Sequence, residues 1–188
     1  MDSRALLLLF LVLFSMNLCV LAKEQKPRWY QDRAVIRTGA ISIEFCRRKP
    51  IYIISHNEEP SIKYFVELKR IIEFEDIDSD GKPDKGESIY VSCPLSAGSW
   101  IFSSIEKNID NGSLLIIKME SDIMVKPGRR GRSDIVRIEV YNYVSNKDTP
   151  IGNATLHASR EMVISLRIGE WPWHSENSKL QLELVYGV

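Results

Sequence analysis

Cysteine is scarce here: three in 188 residues, one of them, Cys19, inside an apolar N-terminal run. That scarcity excludes a disulfide-dense miniature fold and a zinc site built from paired cysteines. An excess of charge of one sign is lacking as well, since 25 Lys and Arg stand against 25 Asp and Glu. The balance argues against a nucleic-acid binder drawing its affinity from a strongly basic surface. Past the first two dozen residues no apolar run approaches the ~20 residues of a membrane span. Also missing are a His-Glu-x-x-His zinc motif, a phosphate loop, a nucleophile elbow and a nucleotide-binding glycine fingerprint. His56, His157 and His174 stand far apart with no metal-type partner nearby. These absences favour a non-enzymatic role, although a triad assembled from distant strands leaves no local trace.

What is present begins with an export signal. Met1-Asp2-Ser3-Arg4 leads into apolar residues from Ala5 to about Val20, and Lys23-Glu24-Gln25-Lys26 turns polar. Val20 and Ala22 occupy the −3 and −1 positions of a cut after Ala22, so residues 1–22 read as a signal peptide and 23–188 as one secreted, extracellular domain. An uncleaved N-terminal anchor is the alternative. A chain of this length buries an adequate core without metal or bridges. In an exported protein the pair Cys46 and Cys93 is expected to form a disulfide, holding the strand before residue 76 against the strand after residue 87. Asn111-Gly112-Ser113 and Asn153-Ala154-Thr155 match the N-glycosylation acceptor and fall in polar turns.

Short β-branched and aromatic runs alternate with turn-rich segments to the last residue, an all-β pattern. Strands are expected at 34–37, 41–46, 51–55, 62–74, 88–93, 100–106, 114–120, 135–144, 155–157, 162–168 and 179–186. In Lys179-Leu180-Gln181-Leu182-Glu183-Leu184-Val185 the leucines share one side, as in a strand with one wet face. Residues 62–74 are ambiguous, because Ile62, Tyr64, Val66 and Leu68 alternate while Tyr64, Phe65, Leu68, Ile71 and Ile72 also line one helical face. Without any clear helix signal, two packed antiparallel sheets, a β-sandwich, is the expected architecture.

Residues 76–87 carry the most specific chemistry. Asp76, Asp78, Asp80, Asp84 and Glu87 take positions 1, 3, 5, 9 and 12 of a twelve-residue loop, with Gly81 at position 6 for the sharp turn. This order lets hard oxygen ligands converge on Ca²⁺: the carboxylates of Asp76, Asp78, Asp80 and Glu87, the Lys82 carbonyl, and Asp84 directly or through water. The stretch resembles the calcium loop of EF-hand proteins, and its Asp-x-Asp-x-Asp-Gly core is similar to loops of dockerin, thrombospondin type 3 and integrin-type repeats. Two features depart from an EF-hand. Ser88-Ile89-Tyr90-Val91-Ser92-Cys93 is β-rich and ends at Pro94, too soon for an exiting helix, and Pro83 has no N–H for the β bridge that paired EF-hand loops exchange. The expectation is an isolated calcium turn between strands with a fixed structural ion.

Trp171-Pro172-Trp173-His174 has two readings, core packing at one end of the sandwich or a sugar-stacking platform. Lys126-Pro127-Gly128-Arg129-Arg130-Gly131-Arg132 reads as an exposed hairpin loop, the alternatives being a site for an anionic surface or polysaccharide, or for cleavage after Arg132. The whole points to a secreted, calcium-binding structural or adhesion module meeting an extracellular protein or carbohydrate. The alternative is a polysaccharide-active hydrolase using Trp171 and Trp173 as a subsite.

Overall fold

The computed structural model describes residues 26–110, 112–126 and 133–188. Its strands are β1 (Arg28–Trp29), β2 (Arg33–Arg37), β3 (Ile41–Cys46), β4 (Ile51–His56), β5 (Lys63–Glu75), β6 (Ile89–Pro94), β7 (Ile101–Ile109), β8 (Gly112–Val125), β9 (Asp134–Ser145), β10 (Thr149–Ile151), β11 (Ala154–Leu156), β12 (Val163–Ile168) and β13 (Ser178–Gly187). One 3₁₀ turn, Leu95–Ala97, is the only helical element among the described residues. The expected all-β, antiparallel, sandwich-like fold is what forms.

The larger sheet runs β1-β2-β3-β4-β5-β13, and the smaller runs β12-β9-β8-β7. Every pairing is antiparallel. β5 organises the larger sheet. Along one edge it pairs with β13 from Phe65 to Glu75; on the other, β4 takes Lys63–Glu67 and β6 takes Arg70–Phe74, end to end. Its helix-like apolar spacing has a simple cause, because Ile71, Ile72, Glu73 and Phe74 are all buried and both faces of the strand are covered there.

Alternation builds the core. Ala34 and Ile36, Ile43 and Phe45, and Tyr52 point inward from β2, β3 and β4, against Leu115, Ile117 and Met119 of β8 and Val136, Ile138 and Val140 of β9. Phe45 and Tyr52 meet edge to face at 5.5 Å, and the Tyr52 hydroxyl crosses between the sheets to Met119 Sδ at 3.6 Å. Burial pushes the Tyr52 phenol well above its usual pKa. β8 continues five residues past the expected 114–120 because Ile123 and Val125 keep the inward alternation.

Cys46 and Cys93 are both free thiols, which corrects the expected disulfide. Phe45 points into the core, so its neighbour Cys46 faces outward, whereas Cys93 pairs with Ile71 and sits inside the core. A bridge needs Cβ atoms about 4 Å apart, which opposite faces of a sheet do not allow. Burial also raises the Cys93 thiol pKa, leaving it protonated and inert.

Candidate metal site in the β5–β6 hairpin loop

The acidic loop closes a hairpin. The Glu75 N–H donates to the Ser88 carbonyl at 3.0 Å, so residues 76–87 leave and re-enter one ladder. No helix flanks the loop, and the EF-hand likeness ends at its twelve residues.

Three of the carboxylates converge. Asp76, Asp78 and Asp80 bring one oxygen each to within 4.8 Å of one another. The backbone enforces this. The Gly81 N–H donates to Asp76 Oδ1 at 3.3 Å, the Asp80 N–H to Asp78 Oδ1 at 3.1 Å and the Lys82 N–H to Asp80 Oδ1 at 2.8 Å. Each aspartate therefore spends one oxygen on folding the loop and keeps the second without a hydrogen bond among the described residues. Gly81 adopts φ 77° and Gly86 φ 113°, left-handed conformations that glycine tolerates and bulkier residues resist. Two unit charges about 4.8 Å apart repel by about 1 kcal/mol even at the dielectric constant of water. The geometry thus gathers negative charge that a cation would neutralise.

Glu87 closes the loop differently. Its Oε1 accepts from the Ile77 N–H at 2.7 Å and its Oε2 from the Asp84 N–H at 2.9 Å, so position 12 clasps position 2 to position 9. Asp84 and Glu87 lie outside the group of three converging aspartates.

Sequence reasoning did not single out Glu73, three residues before Asp76. Its carboxylate is fully buried, accepting from Trp171 Nε1–H at 3.0 Å and from the His174 backbone N–H at 2.7 Å. The signal was an acidic residue in the apolar run Ile71-Ile72-Glu73-Phe74. Beside it the His174 ring stacks on Tyr90 with centroids 4.0 Å apart. The end of β5 that leads into the loop is thereby tied to the segment between β12 and β13.

The same contacts split the two indoles. Trp171 is 8% exposed and Trp173 is 53% exposed. The Trp173 N–H donates back to the Trp171 carbonyl at 3.0 Å, a tight turn across Pro172 that leaves one indole buried and the other exposed. Two surface hollows, of about 460 and 470 Å³, are lined by Tyr90, Cys93, Asp122 and Met124 in one case and by Asp148, His157, Arg160 and Glu161 in the other. Neither includes a tryptophan. The paired-indole platform is not formed, and the hydrolase reading loses its support.

Asn153 is exposed in the two-residue turn Gly152-Asn153 between β10 and β11. Gly152 there has φ 59°, as a tight hairpin with glycine first requires. Asn111, residues 127–132 and the expected signal segment 1–22 lie outside the described residues. No family model matches this chain, and no curated protein or solved structure matches it either. Among the described residues no helix is long and apolar enough to cross a membrane.

Proposed function

We propose that this chain is an extracellular, calcium-binding β-sandwich module of structural or adhesive type, in which Ca²⁺ rigidifies the β5–β6 loop. The observation that carries the reading is the convergence of Asp76, Asp78 and Asp80 within 4.8 Å, each with a spare oxygen. The Lys82 carbonyl and Asp84 would complete the oxygen set, with Glu87 exchanging its clasp for bidentate coordination. All of these are hard oxygen donors on an exposed loop without His or Cys, which suits Ca²⁺ better than a transition metal. A compact octahedral Mg²⁺ with its retained waters fits less well. Export, supported by residues 1–22, would place the loop in a calcium-rich medium, where extracellular modules bind at roughly 10⁻⁴ to 10⁻³ M. A sheet face or a neighbouring loop would then meet the protein or carbohydrate partner.

Calorimetric titration of the purified protein with Ca²⁺, beside Asp80→Ala, tests the reading. One saturable site lost in the variant, with a melting temperature that falls in chelator, supports it. No heat of binding at millimolar Ca²⁺ overturns it.

A further inference from the structure

The balanced charge of the chain conceals a segregated patch. Segments 28–33 and 44–49 hold Arg28, Arg33, Arg47, Arg48 and Lys49 against only Asp32 and Glu44. The fold brings these segments together, since β2 pairs with β3 through Arg33 and Cys46, and the Arg47 N–H donates to the Asp32 carbonyl at 2.9 Å. Two aromatic side chains lie in the patch. The Arg47 guanidinium sits 5.8 Å from the centre of the Trp29 ring and donates to the Tyr30 carbonyl at 3.2 Å; the Arg33 guanidinium lies 5.3 Å from the centre of the Tyr30 ring. Arg33 also pairs with Glu44 at 3.5 Å, which leaves the other cations in excess.

We infer that this corner of the larger sheet, at β1, β2 and the β3–β4 turn, is a docking surface for a linear sulfated polysaccharide. The inference rests on the extracellular reading above and names the partner for it. Guanidinium forks match the oxygens of sulfate, and a cation–π contact with a ring pre-orients the fork and lowers the entropy lost on binding. The cations are spread along two adjacent segments with no buried donor at their centre, so the surface fits repeated charges on a polymer and not one small anion. Trp29 and Tyr30 are about half-exposed, with guanidinium groups over their rings. A membrane-inserting patch would need rings projecting beyond the cations, and a single-stranded nucleic acid would need free ring faces for stacking. A polysaccharide needs neither.

The test uses heparin as the probe, in calcium and again in chelator. The protein is expected to bind heparin with an affinity that falls as salt rises. Arg48→Gln/Lys49→Gln, which leaves both ring contacts intact, is expected to weaken binding about tenfold with an unchanged melting temperature. Arg47→Lys, which keeps the charge and loses the fork, should weaken it about threefold. Lys107→Gln/Arg167→Gln on the other sheet serves as the charge-matched control and should bind like the parent. Equal binding by parent and double variant overturns the proposal. So does tighter binding to anionic phospholipid vesicles, or to single-stranded DNA, than to heparin. If the double variant weakens heparin binding about tenfold while the parent shows no calcium site, the docking surface stands and the calcium reading fails. If calcium binds and heparin does not, the reverse holds.

Discussion

Glu87 is the residue at which a folding role and a ligand role can be separated. Its two oxygens clasp the Ile77 and Asp84 N–H groups at 2.7 and 2.9 Å without any ion. Both contacts are solvent-exposed, so each contributes at the low end of the usual net hydrogen-bond range, about 0.5 kcal/mol. In chelator Glu87→Gln keeps one good acceptor and should lose about 0.5 kcal/mol. In calcium the expectation changes. At 10 mM Ca²⁺ and a Kd of about 10⁻⁴ M, linkage stabilises the parent by about 2.7 kcal/mol. A hundredfold loss of affinity, from removing a bidentate ligand, would leave the variant about 0.4 kcal/mol of that. The difference, about 2.3 kcal/mol, corresponds to roughly 5–9 °C of melting temperature for a domain of this size. The assay is thermal unfolding of parent and variant in chelator and in 10 mM Ca²⁺. An equal deficit in both conditions would show that Glu87 is a clasp alone and would refute its place among the ligands.

Further expectations follow from the frame. Native-state alkylation should modify the partly exposed Cys46 and spare the buried Cys93 until denaturant is added, and mass should be identical with and without reductant; a mass two units lower without reductant would restore the disulfide. Gly98→Ala places a Cβ 2.4 Å from Ser121 Oγ, an overlap expected to cost about 1–3 kcal/mol in urea unfolding. Ser121→Ala should recover part of that loss, and a neutral Gly98→Ala would contradict the packing. Lys69, at 2.7 Å, and Arg70 hold the Glu183 carboxyl below the usual carboxylate range. A folded-state pKa below the unfolded value stabilises the fold above the unfolded value of about 4.3, and that contribution is lost as pH falls through the folded pKa. Glu183→Gln should therefore flatten the acid limb of the stability profile below about pH 4.3; an unchanged limb counts against the pairing.

The strands were legible because the apolar residues alternate, and eleven expected strands each coincide with one in the structure. β1 escaped notice because two residues carry no period, and β10 because Pro150 marks a break that only an edge hairpin tolerates. The disulfide expectation counted thiols and ignored parity. Ile41, Ile43 and Phe45 already assign the odd positions of β3 to the core, which sends Cys46 outward. For Cys93 the parity was hidden, because the ladder shifts between Glu73 and Phe74 and Tyr90 is skipped. In the loop the spacing of Asp76, Asp78 and Asp80 was enough to predict convergence, since each aspartate side chain reaches a backbone N–H only a few residues away. The Glu87 clasp was not legible, because it spans ten residues to Ile77 and depends on how the hairpin closes. The paired indoles failed for a local reason. Alternate residues share a side only in an extended chain, and the turn across Pro172 breaks that rule.

The position of the loop limits what an ion can do there. A loop between helices can transmit binding as a change of interhelical angle. Here both flanking segments belong to one ladder, closed by the Glu75 N–H to Ser88 carbonyl bond, and β5 is held on its other edge by β13 as far as Glu75. Glu73 adds a second restraint by anchoring Trp171 and the backbone of His174 just before the first aspartate. With the β5 side of its base held by β13 and by the Glu73 contacts, the hairpin has little freedom to pivot. Calcium would act on the loop itself, relieving repulsion among three aspartates and recruiting Glu87. Two regions then divide the work in the proposed module: the acidic hairpin loop answers to the ion, and the basic corner at β1–β3 answers to the polyanion. They lie on different strands of the same sheet and share no residue, so removing calcium should lower stability without abolishing heparin binding below the melting transition.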